Sequence, residues 1–354
     1  MSNVKSTDNT NVVTELVFYH GNCLDGVSAA YCHQQYGGRA VSKYIPMAHN
    51  EINIPAIQQK LSLSNIDLAQ VKQVYVLDFN LDKDCYHYLL NANQDIKIIV
   101  LDHHKTAKEE IEKMNCEFAG KNIQFYFNLK YSGAVISYLY FRVYFKKLKE
   151  FPKDEDVLDY VIETQVPTWI KMVHDRDLWQ WKYKNTKFFT TALFSKISGG
   201  GEDNANNKNK VPAELKAMCK INPSKGENVE KLIADGKVMV EQYENQIQSI
   251  IDERGYFEVD LFGAELGAKG RGYAVNASNL FSSELGSKLC RLDDEHKYAI
   301  TFAFMEKNRV KCSIRSTDDC DCSVIAKYFG GGGHSQASGF NLTFEQFQKH
   351  ILKL

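Results

Sequence analysis

The sequence has almost no net charge. Its 354 residues include 43 Lys and Arg against 44 Asp and Glu, which gives a formal charge of −1 at pH 7. A basic field that attracts polynucleotides from all sides is therefore excluded, and any nucleic-acid contact must come from a local patch. No apolar run reaches the length of a membrane span, and the polar segment 1–11 has no signal-peptide core. We therefore expect a cytoplasmic protein that does not enter a membrane.

Paired cysteines are also missing. The nine cysteines are odd in number and scattered, no Cys-x-x-Cys occurs, and Cys320 with Cys322 is the nearest approach to a cluster. This pattern favours free thiols in a reducing compartment over a disulfide framework. It also argues against a structural zinc site, because such sites are usually built on several thiolates.

The composition, with 44% hydrophobic and 25% charged residues, indicates a globular protein of about two domains. In the first half, short apolar runs alternate with helical patterns, which is typical of a parallel sheet covered by helices. We expect an N-terminal α/β domain over residues 12–182. Its predicted strands are 16–19, 74–77, 96–101 and 123–127, and its predicted helices are 26–36, 132–148 and 154–173.

A helical linker over residues 183–254 is predicted next. It contains a Gly-, Asn- and Lys-rich segment at 198–210, which predicts a mobile surface loop, and a helical pattern at 214–254. Strand and helix patterns then return and predict a smaller C-terminal α/β domain over residues 255–354. Its strands are predicted at 273–276, 298–305 and 310–315, and its helices at 280–289, 322–329 and after Thr343, whose spacing to Gln346 fits a capping box.

Polar residues follow three predicted strands of the first domain. His20, Asp78 and Asp102 each stand where a strand ends, which is the position at which open α/β sheets build ligand sites. The run Asp102-His103-His104 offers carboxylate oxygen and imidazole nitrogen, which suit Mn²⁺, Fe²⁺, Co²⁺ or Zn²⁺. The alternative is a polar strand end with two histidines, together with a helix cap at Asp78.

Two further segments carry candidate acids. Asp25 lies in the tight turn after His20, where its alternative role is to cap the following helix. Asp175 lies in the run 173–179, where the alternative is a surface helix end whose charges pair with one another.

A glycine-rich loop marks the second domain. Four glycines, Gly330 to Gly333, precede His334, and residues 335–340 follow as Ser-Gln-Ala-Ser-Gly-Phe. Such a loop lets the backbone and a cationic ring approach a phosphate closely. Together with the metal-binding pattern, it predicts metal-assisted cleavage of a phosphate ester, with the second domain holding the substrate.

The ordered set of these motifs, from Leu16 to Phe340, resembles the DHH phosphoesterase superfamily. The C-terminal part resembles the DHH-associated substrate-binding domain with its Gly-Gly-Gly-His motif, and Ser313 to Ser316 contribute to that likeness. Within the superfamily, the chain most resembles the two-domain oligoribonucleases and nucleotide phosphatases. The resemblance implies an N-terminal parallel-sheet DHH domain that catalyses hydrolysis and a C-terminal α/β domain that binds the substrate.

The resemblance also implies roles for particular residues. Two metal ions, commonly Mn²⁺ with Mg²⁺ or Co²⁺ as alternatives, would activate a hydroxide, and Asp78 would bridge them. The other implied metal ligands are His20, Asp25, His103 and Asp175. Asp102 and His104 would be catalytic groups that orient the ligands or face the phosphate. The implied substrate-binding residues are Arg315, Ser316, Gly331, Gly332, Gly333, His334 and Asn276.

One departure from the family pattern concerns the first motif. Members usually carry two aspartates there, and here Asn22 or Cys23 stands at the position of one of them. Aspartate is the better ligand for a hard metal, so the first metal site could be weaker, use a water or recruit Cys23. A catalytically impaired nucleotide- or nucleic-acid-binding protein of the same fold is therefore the alternative function.

The expected function is that of a metal-dependent phosphohydrolase, either a nuclease or a phosphatase, acting on a short nucleic acid or nucleotide. A phosphatase that acts on a non-nucleotide phosphate is a third hypothesis. Aromatic residues that can stack on a base in the cleft would argue against it. The sequence has 19 Tyr and 20 Phe, but their number does not show whether any of them lies in the cleft. No membrane partner is expected, and the sequence leaves open a homodimer, the exact substrate, the cleavage polarity and the physiological metal.

Overall fold

The computed structural model describes residues 12–37, 40–143, 154–198, 211–261 and 271–354. The chain divides into two compact units. The first lies within Met1–His103 and Ala107–Met239, and the second within His104–Thr106 and Val240–Leu354. In the described part of the chain, no helix is long and apolar enough to cross a membrane.

The first unit is built on a five-stranded sheet with the order β2-β1-β3-β4-β5, in which every pairing is parallel. This confirms the predicted parallel sheet. The strands are β1 (Glu15–His20), β2 (Ser42–Met47), β3 (Gln73–Leu77), β4 (Lys97–Asp102) and β5 (Ile123–Phe127). The predictions missed β2, a sheet-edge strand whose Pro46 interrupts the apolar pattern.

Both faces of this sheet are buried. Val17 and Tyr19 of β1 belong to one apolar core, and Leu16 and Phe18 belong to the other. This division follows from the two-residue period of a strand, which sends alternate side chains to opposite faces. Because both faces carry apolar side chains, helices must cover both, as in doubly wound α/β folds.

Ten helices of the described chain precede the second sheet. They are α1 (Leu24–Tyr36), α2 (Ile54–Leu63), α3 (Lys83–Ala92), α4 (Lys108–Glu117), α5 (Gly133–Tyr138), α6 (Glu155–Gln165), α7 (Thr168–Asp177), α8 (Thr186–Ser198), α9 (Ala213–Ile221) and α10 (Gly226–Asp252). Short 3-10 helices lie at His49–Glu51, Leu68–Gln70 and Lys105–Ala107, and a π-helical turn at Leu139–Val143 continues α5. The predicted helix 132–148 is described only to residue 143.

Two predicted helices are each split in two. The segment 154–173 forms α6 and α7, which are separated at Pro167, because proline lacks the N–H that an uninterrupted helix needs. The segment 214–254 forms α9 and α10, since α9 ends at Asn222 in a left-handed conformation with φ 49°. Helices α8 and α9 and the part of α10 up to Met239 fall within the first unit, and the rest of α10 belongs to the second. Most of the predicted loop 198–210 lies outside the described residues.

The second unit has a mixed six-stranded sheet with the order β10-β11-β9-β8-β7-β6, in which only β7 and β8 pair in parallel. Its strands are β6 (Tyr256–Val259), β7 (Arg271–Asn276), β8 (His296–Met305), β9 (Arg309–Ser316), β10 (Gly332–His334) and β11 (Ala337–Thr343). Its helices are α11 (Ser282–Leu289), α12 (Cys322–Tyr328) and α13 (Phe344–Phe347), with a 3-10 helix at Asn279–Phe281 and a π-helical turn at Gln348–Leu352. The predicted capping box of Thr343 and Gln346 is present.

Candidate metal centre

The carboxyl ends of β1, β3 and β4 meet at one edge of the first sheet. Tyr19 pairs with Leu77, and Leu77 pairs with Leu101, so the residues that follow these positions are neighbours. His20 ends β1, Asp78 follows β3, and Asp102 and His103 come at the end of β4. The strand order therefore brings together residues that are far apart in the sequence, as the strand-end argument predicted.

Asp78 lies between two imidazole rings. Its Oδ2 is 3.4 Å from Nδ1 of His20, and its Oδ1 is 3.1 Å from Nε2 of His103. The residue is 1% exposed and has the left-handed φ of 64°, and its amide donates to the carbonyl of Leu101 at 2.8 Å. A carboxylate with one oxygen toward each imidazole has the arrangement that a bridging ligand needs.

His103 is close to two further carboxylates. Its Nε2 is 3.6 Å from Oδ2 of Asp25 and 3.4 Å from Oδ2 of Asp177. The other oxygen of Asp25 accepts the amide of Ala134 at 3.0 Å, which fixes that side chain against the first turn of α5. Three carboxylates thus converge on one buried imidazole.

The charge balance of this cluster favours a cation. Burial raises the pKa of Asp25 well above its usual value, and the negative charges of Asp78 and Asp177 raise it further. Burial by itself lowers the pKa of His20, but its hydrogen bond to Asp78 and the nearby negative charge outweigh burial, so the pKa is raised. Nearby negative charge contributes to both shifts, and a divalent ion would neutralise it.

Cys23 lies beside the same carboxylate. One ligand atom from each of His20, Cys23 and Asp78 can be chosen so that all three lie within 4.8 Å of one another. Burial raises the pKa of the Cys23 thiol well above its usual value, and the charges of Asp78 and Asp177 add to the shift. Asn22 is exposed, and its amide donates to Oε2 of Glu214 at 3.1 Å. Of the two residues that the sequence left open, the structure brings Cys23 to the cluster.

Asp175 is not brought into the cluster, although the resemblance placed it among the ligands. Its Oδ1 accepts the amide of Lys182 at 2.7 Å, and its Oδ2 accepts the amide of Tyr183 at 3.1 Å and the hydroxyl of Thr186. Asp177 lies near His103 instead. Residues two apart on a helix point to different sides, so only one of these aspartates can face the centre, and the helical phase of α7 was the signal available in the sequence.

The two remaining residues of the Asp-His-His run have different surroundings. Asp102 is 0% exposed, and its Oδ1 accepts the amide of His103 at 2.8 Å, so it fixes the backbone from which His103 projects. His104 follows in the connection to the 3-10 helix at Lys105–Ala107 and is half-buried.

The residues of the first unit fit a pair of divalent ions. Two sets of three potential ligands share the centre, His20 with Cys23 and Asp78, and Asp25 with His103 and Asp177. Apart from the Cys23 sulfur, the donors are carboxylate oxygens and imidazole nitrogens, which suit Mn²⁺ and related ions. The buried carboxylates also supply the negative charge that such ions need.

In the second unit, two of the implied substrate-binding residues, Arg315 and Ser316, lie at the end of β9. The guanidinium of Arg315 donates through Nη2 to Oγ of Ser283 at 2.7 Å and through Nη1 to the carbonyl of Ile314 at 2.9 Å. Ser316 is buried, and its hydroxyl lies within hydrogen-bonding distance of the carbonyls of Cys320 and Ser335, at 2.6 and 3.1 Å. Ser316 therefore stabilises the turn beside the glycine loop.

The glycine loop is tightly packed. The resemblance placed Gly331 among the substrate-binding residues. In the structure its backbone amide instead donates to the carbonyl of Ala326 at 2.7 Å, at the end of α12. A Cβ on Gly331 would lie 2.1 Å from the carbonyl oxygen of Gly339. Gly333 has φ 137°, which only glycine adopts readily. Gly332, Gly333 and His334 form β10.

The outer positions of this region remain accessible. The ring of His334 is half-buried, and its carbonyl accepts the hydroxyl of Ser338 at 2.7 Å. Asn276 is exposed at the end of β7. Residues 271–354, which include all of these groups, match the model of the DHHA1 domain. This match confirms the predicted resemblance of the C-terminal part to a DHH-associated domain.

Other comparisons extend over most of the chain. The chain is 29% identical over 335 residues to the uncharacterized protein R106 of Acanthamoeba polyphaga mimivirus, and it covers 66% of that protein's length, just under two thirds. Among solved structures, the pGpG-specific phosphodiesterase PggH of Vibrio cholerae matches with a TM-score of 0.42, 12% identity and 95% coverage of both chains. RecJ of Thermus thermophilus in complex with Mn²⁺ matches with a TM-score of 0.48 and 13% identity, over 94% of this chain and 50% of RecJ.

Proposed function

We propose that this chain is a metal-dependent phosphohydrolase that cleaves phosphate ester bonds of short oligonucleotides or nucleotides. The observation that carries the proposal is the convergence of Asp25, Asp78 and Asp177 within 3.6 Å of Nε2 of His103. Buried carboxylates in such a group need cations, and a DHHA1 domain follows in the same chain.

Asp78 would hold both ions, His20 and Cys23 would complete the first site, and Asp25, His103 and Asp177 would complete the second. Two Mn²⁺ ions, or Mg²⁺ or Co²⁺ in their place, would stabilise negative charge on the attacking and leaving oxygens when bound. Asp102 orients His103 through the backbone. We assign His104 to the scissile phosphate.

The DHHA1 domain would bind the part of the substrate that is not cleaved. Arg315 and His334 offer cationic groups for a phosphate, and Asn276 offers an amide. Gly332 and Gly333 would allow close approach, whereas Ser316 and Gly331 would support the loop. The nine cysteines are all free. A cytoplasmic location stays a prediction. A homodimer stays a prediction.

A substrate panel tests this function. The panel would compare dinucleotides, longer RNA and DNA, cyclic dinucleotides, 3′-phosphoadenosine 5′-phosphate and polyphosphate, each with added Mn²⁺. We expect turnover of a short nucleotide substrate by the wild type, and none by Asp78→Ala, since this change removes the bridging carboxylate. Asp84→Ala, an exposed aspartate on α3, is the matched control and should keep full activity. Turnover by Asp78→Ala near the wild-type rate would contradict the two-ion assignment.

The second candidate function is a binding protein of the same fold with impaired catalysis. The observation that favours it is Cys23, which places a thiol beside His20 and Asp78 where the family usually has a carboxylate. Metal content distinguishes the two, because about two Mn²⁺ per chain support the enzyme and none supports the binding protein.

A further inference from the structure

Two tryptophans follow α7, the helix that ends at Asp177 of the candidate metal centre. Asp177 ends α7, and Trp179 and Trp181 follow it within four residues. The two indole rings meet edge to face with their centroids 4.7 Å apart and an angle of 73° between their planes. Both side chains are half-buried, so part of their aromatic surface remains accessible.

The backbone of this turn is held in an unusual conformation. Trp179 and Trp181 have φ values of 57° and 56°, in the left-handed region that bulky side chains rarely adopt. Asp175 stabilises the turn, because its carbonyl accepts the amide of Gln180 at 2.9 Å and its carboxylate accepts the amides of Lys182 and Tyr183. Non-glycine residues in such conformations cluster at functional sites, where their surroundings fix them.

Arg176 completes the cluster. Its guanidinium carbon lies 5.4 Å from the ring centroid of Trp179 and 5.5 Å from that of Trp181, within cation–π range of both. Indole rings and a guanidinium plane are the groups on which nucleobases stack. Asp177, whose Oδ2 lies 3.4 Å from Nε2 of His103, follows Arg176 directly, so the aromatic cluster and one residue of the candidate metal centre are neighbours in the chain.

We propose that Arg176, Trp179 and Trp181 form a nucleobase-binding cluster that stacks the base next to the scissile phosphate. The inference rests on the proposed hydrolase function and adds the residues that would bind the base, which would make the enzyme prefer a nucleoside phosphate over polyphosphate or a sugar phosphate. Stacking tolerates any base, because every base has a π face, so the cluster selects for the presence of a base and only weakly for its identity.

The first test compares a base-carrying substrate with a base-free one. Hydrolysis of diadenylate would be measured beside an analogue in which hydrogen replaces both adenines. We expect the wild type to prefer diadenylate by roughly 5- to 100-fold in kcat/KM. Trp181→Ala should lose most of this preference through a higher KM for diadenylate, with little change for the base-free analogue. Trp181→Phe, which keeps an aromatic face, should retain most of the preference.

Tyr160→Ala is the matched control, because Tyr160 is a 68% exposed aromatic residue of α6 in the same unit. This variant should behave as the wild type does. Thermal melting of each variant separates a lost contact from a lost fold. The proposal is overturned if the wild type cleaves both substrates equally well, or if folded Trp181→Ala slows both by the same factor.

A binding measurement keeps the inference separate from the hydrolase proposal. Adenosine 5′-monophosphate and ribose 5-phosphate would be titrated into the wild type and Trp181→Ala. We expect the wild type to bind the nucleotide more tightly than the sugar phosphate, and Trp181→Ala to bind the two alike. If the wild type cleaves nothing but shows this difference, the hydrolase proposal fails and the nucleobase-binding cluster stands. Equal binding of both probes by the wild type would refute the cluster even where hydrolysis is observed.

Discussion

Gly133 packs directly against the carboxylate of Asp78. A Cβ atom added to Gly133 would lie 2.6 Å from both Oδ1 and Cβ of Asp78, closer than real Cβ contacts allow. On its other side, Asp78 is fixed by its left-handed backbone and by the bond from its amide to Leu101. The first residue of α5 and the end of β3 therefore determine together where the proposed bridging carboxylate lies.

We predict that Gly133→Ala lowers Mn²⁺ affinity and reduces the rate by about 100-fold, since a misplacement of about 1 Å can have that effect. Metal titration by calorimetry and steady-state kinetics would measure both. Gly226→Ala is the control, because a Cβ at Gly226 meets nothing within 4 Å. Unchanged metal binding in a folded Gly133→Ala protein would show that the position of Asp78 is not critical.

Asp177→Asn should affect metal binding, whereas Asp175→Asn should affect the stability of the fold. Asp177→Asn removes a charge near His103 and should weaken Mn²⁺ binding while leaving the metal-free fold intact. Asp175→Asn weakens the acceptor of two amides and the Thr186 hydroxyl, and should lower the free energy of unfolding by about 1–3 kcal/mol. Thermal melts and metal titrations on both variants measure the difference. If Asp175→Asn lost metal at unchanged stability, the assignment from the family resemblance would be preferred over Asp177.

Cys23→Asp should restore the carboxylate of the family pattern. A hard anionic oxygen beside His20 and Asp78 suits Mn²⁺ better than a neutral thiol, so we expect the Mn²⁺ concentration for half-maximal rate to fall. Without metal, the added charge should destabilise the protein, because Asp78 and Asp177 already lie close. Activity titrations against Mn²⁺ and melts with and without metal test this. A lower melting temperature with no gain in metal affinity would mean that Cys23 acts only as a packing residue.

His334→Ala should weaken substrate binding more than the chemical step. In the proposed function His334 contacts a phosphate that is not cleaved, so its loss should raise KM and leave most of kcat unchanged. Steady-state kinetics on a dinucleotide, with metal content measured in parallel, provide the check. Loss of bound Mn²⁺ from this variant would place His334 among the metal ligands instead.

The sequence by itself determined the parallel sheet and the edge at which the candidate site lies. Alternation of side chains along β1 and β3 is a local pattern with a two-residue period, and His20, Asp78 and His103 stand next to the strands that position them. The C-terminal domain was predicted from its resemblance to the DHH-associated domain, to which Gly330 to Gly333 with His334 and Ser313 to Ser316 contribute, and residues 271–354 match the DHHA1 model.

Only the tertiary structure decided which side chains face the candidate site, because this depends on how a helix is rotated and on how a turn runs. Whether Asp175 or Asp177 faces His103 depends on how α7 is rotated against the sheet, and Pro167 sets where that helix begins. Cys23 reaches Asp78 and Asn22 does not, because Asn22 adopts a left-handed conformation and its amide bonds to Glu214 in α9. The clustering of Trp179 and Trp181 with Arg176 depends on hydrogen bonds from the following backbone to Asp175, which the local sequence pattern does not predict.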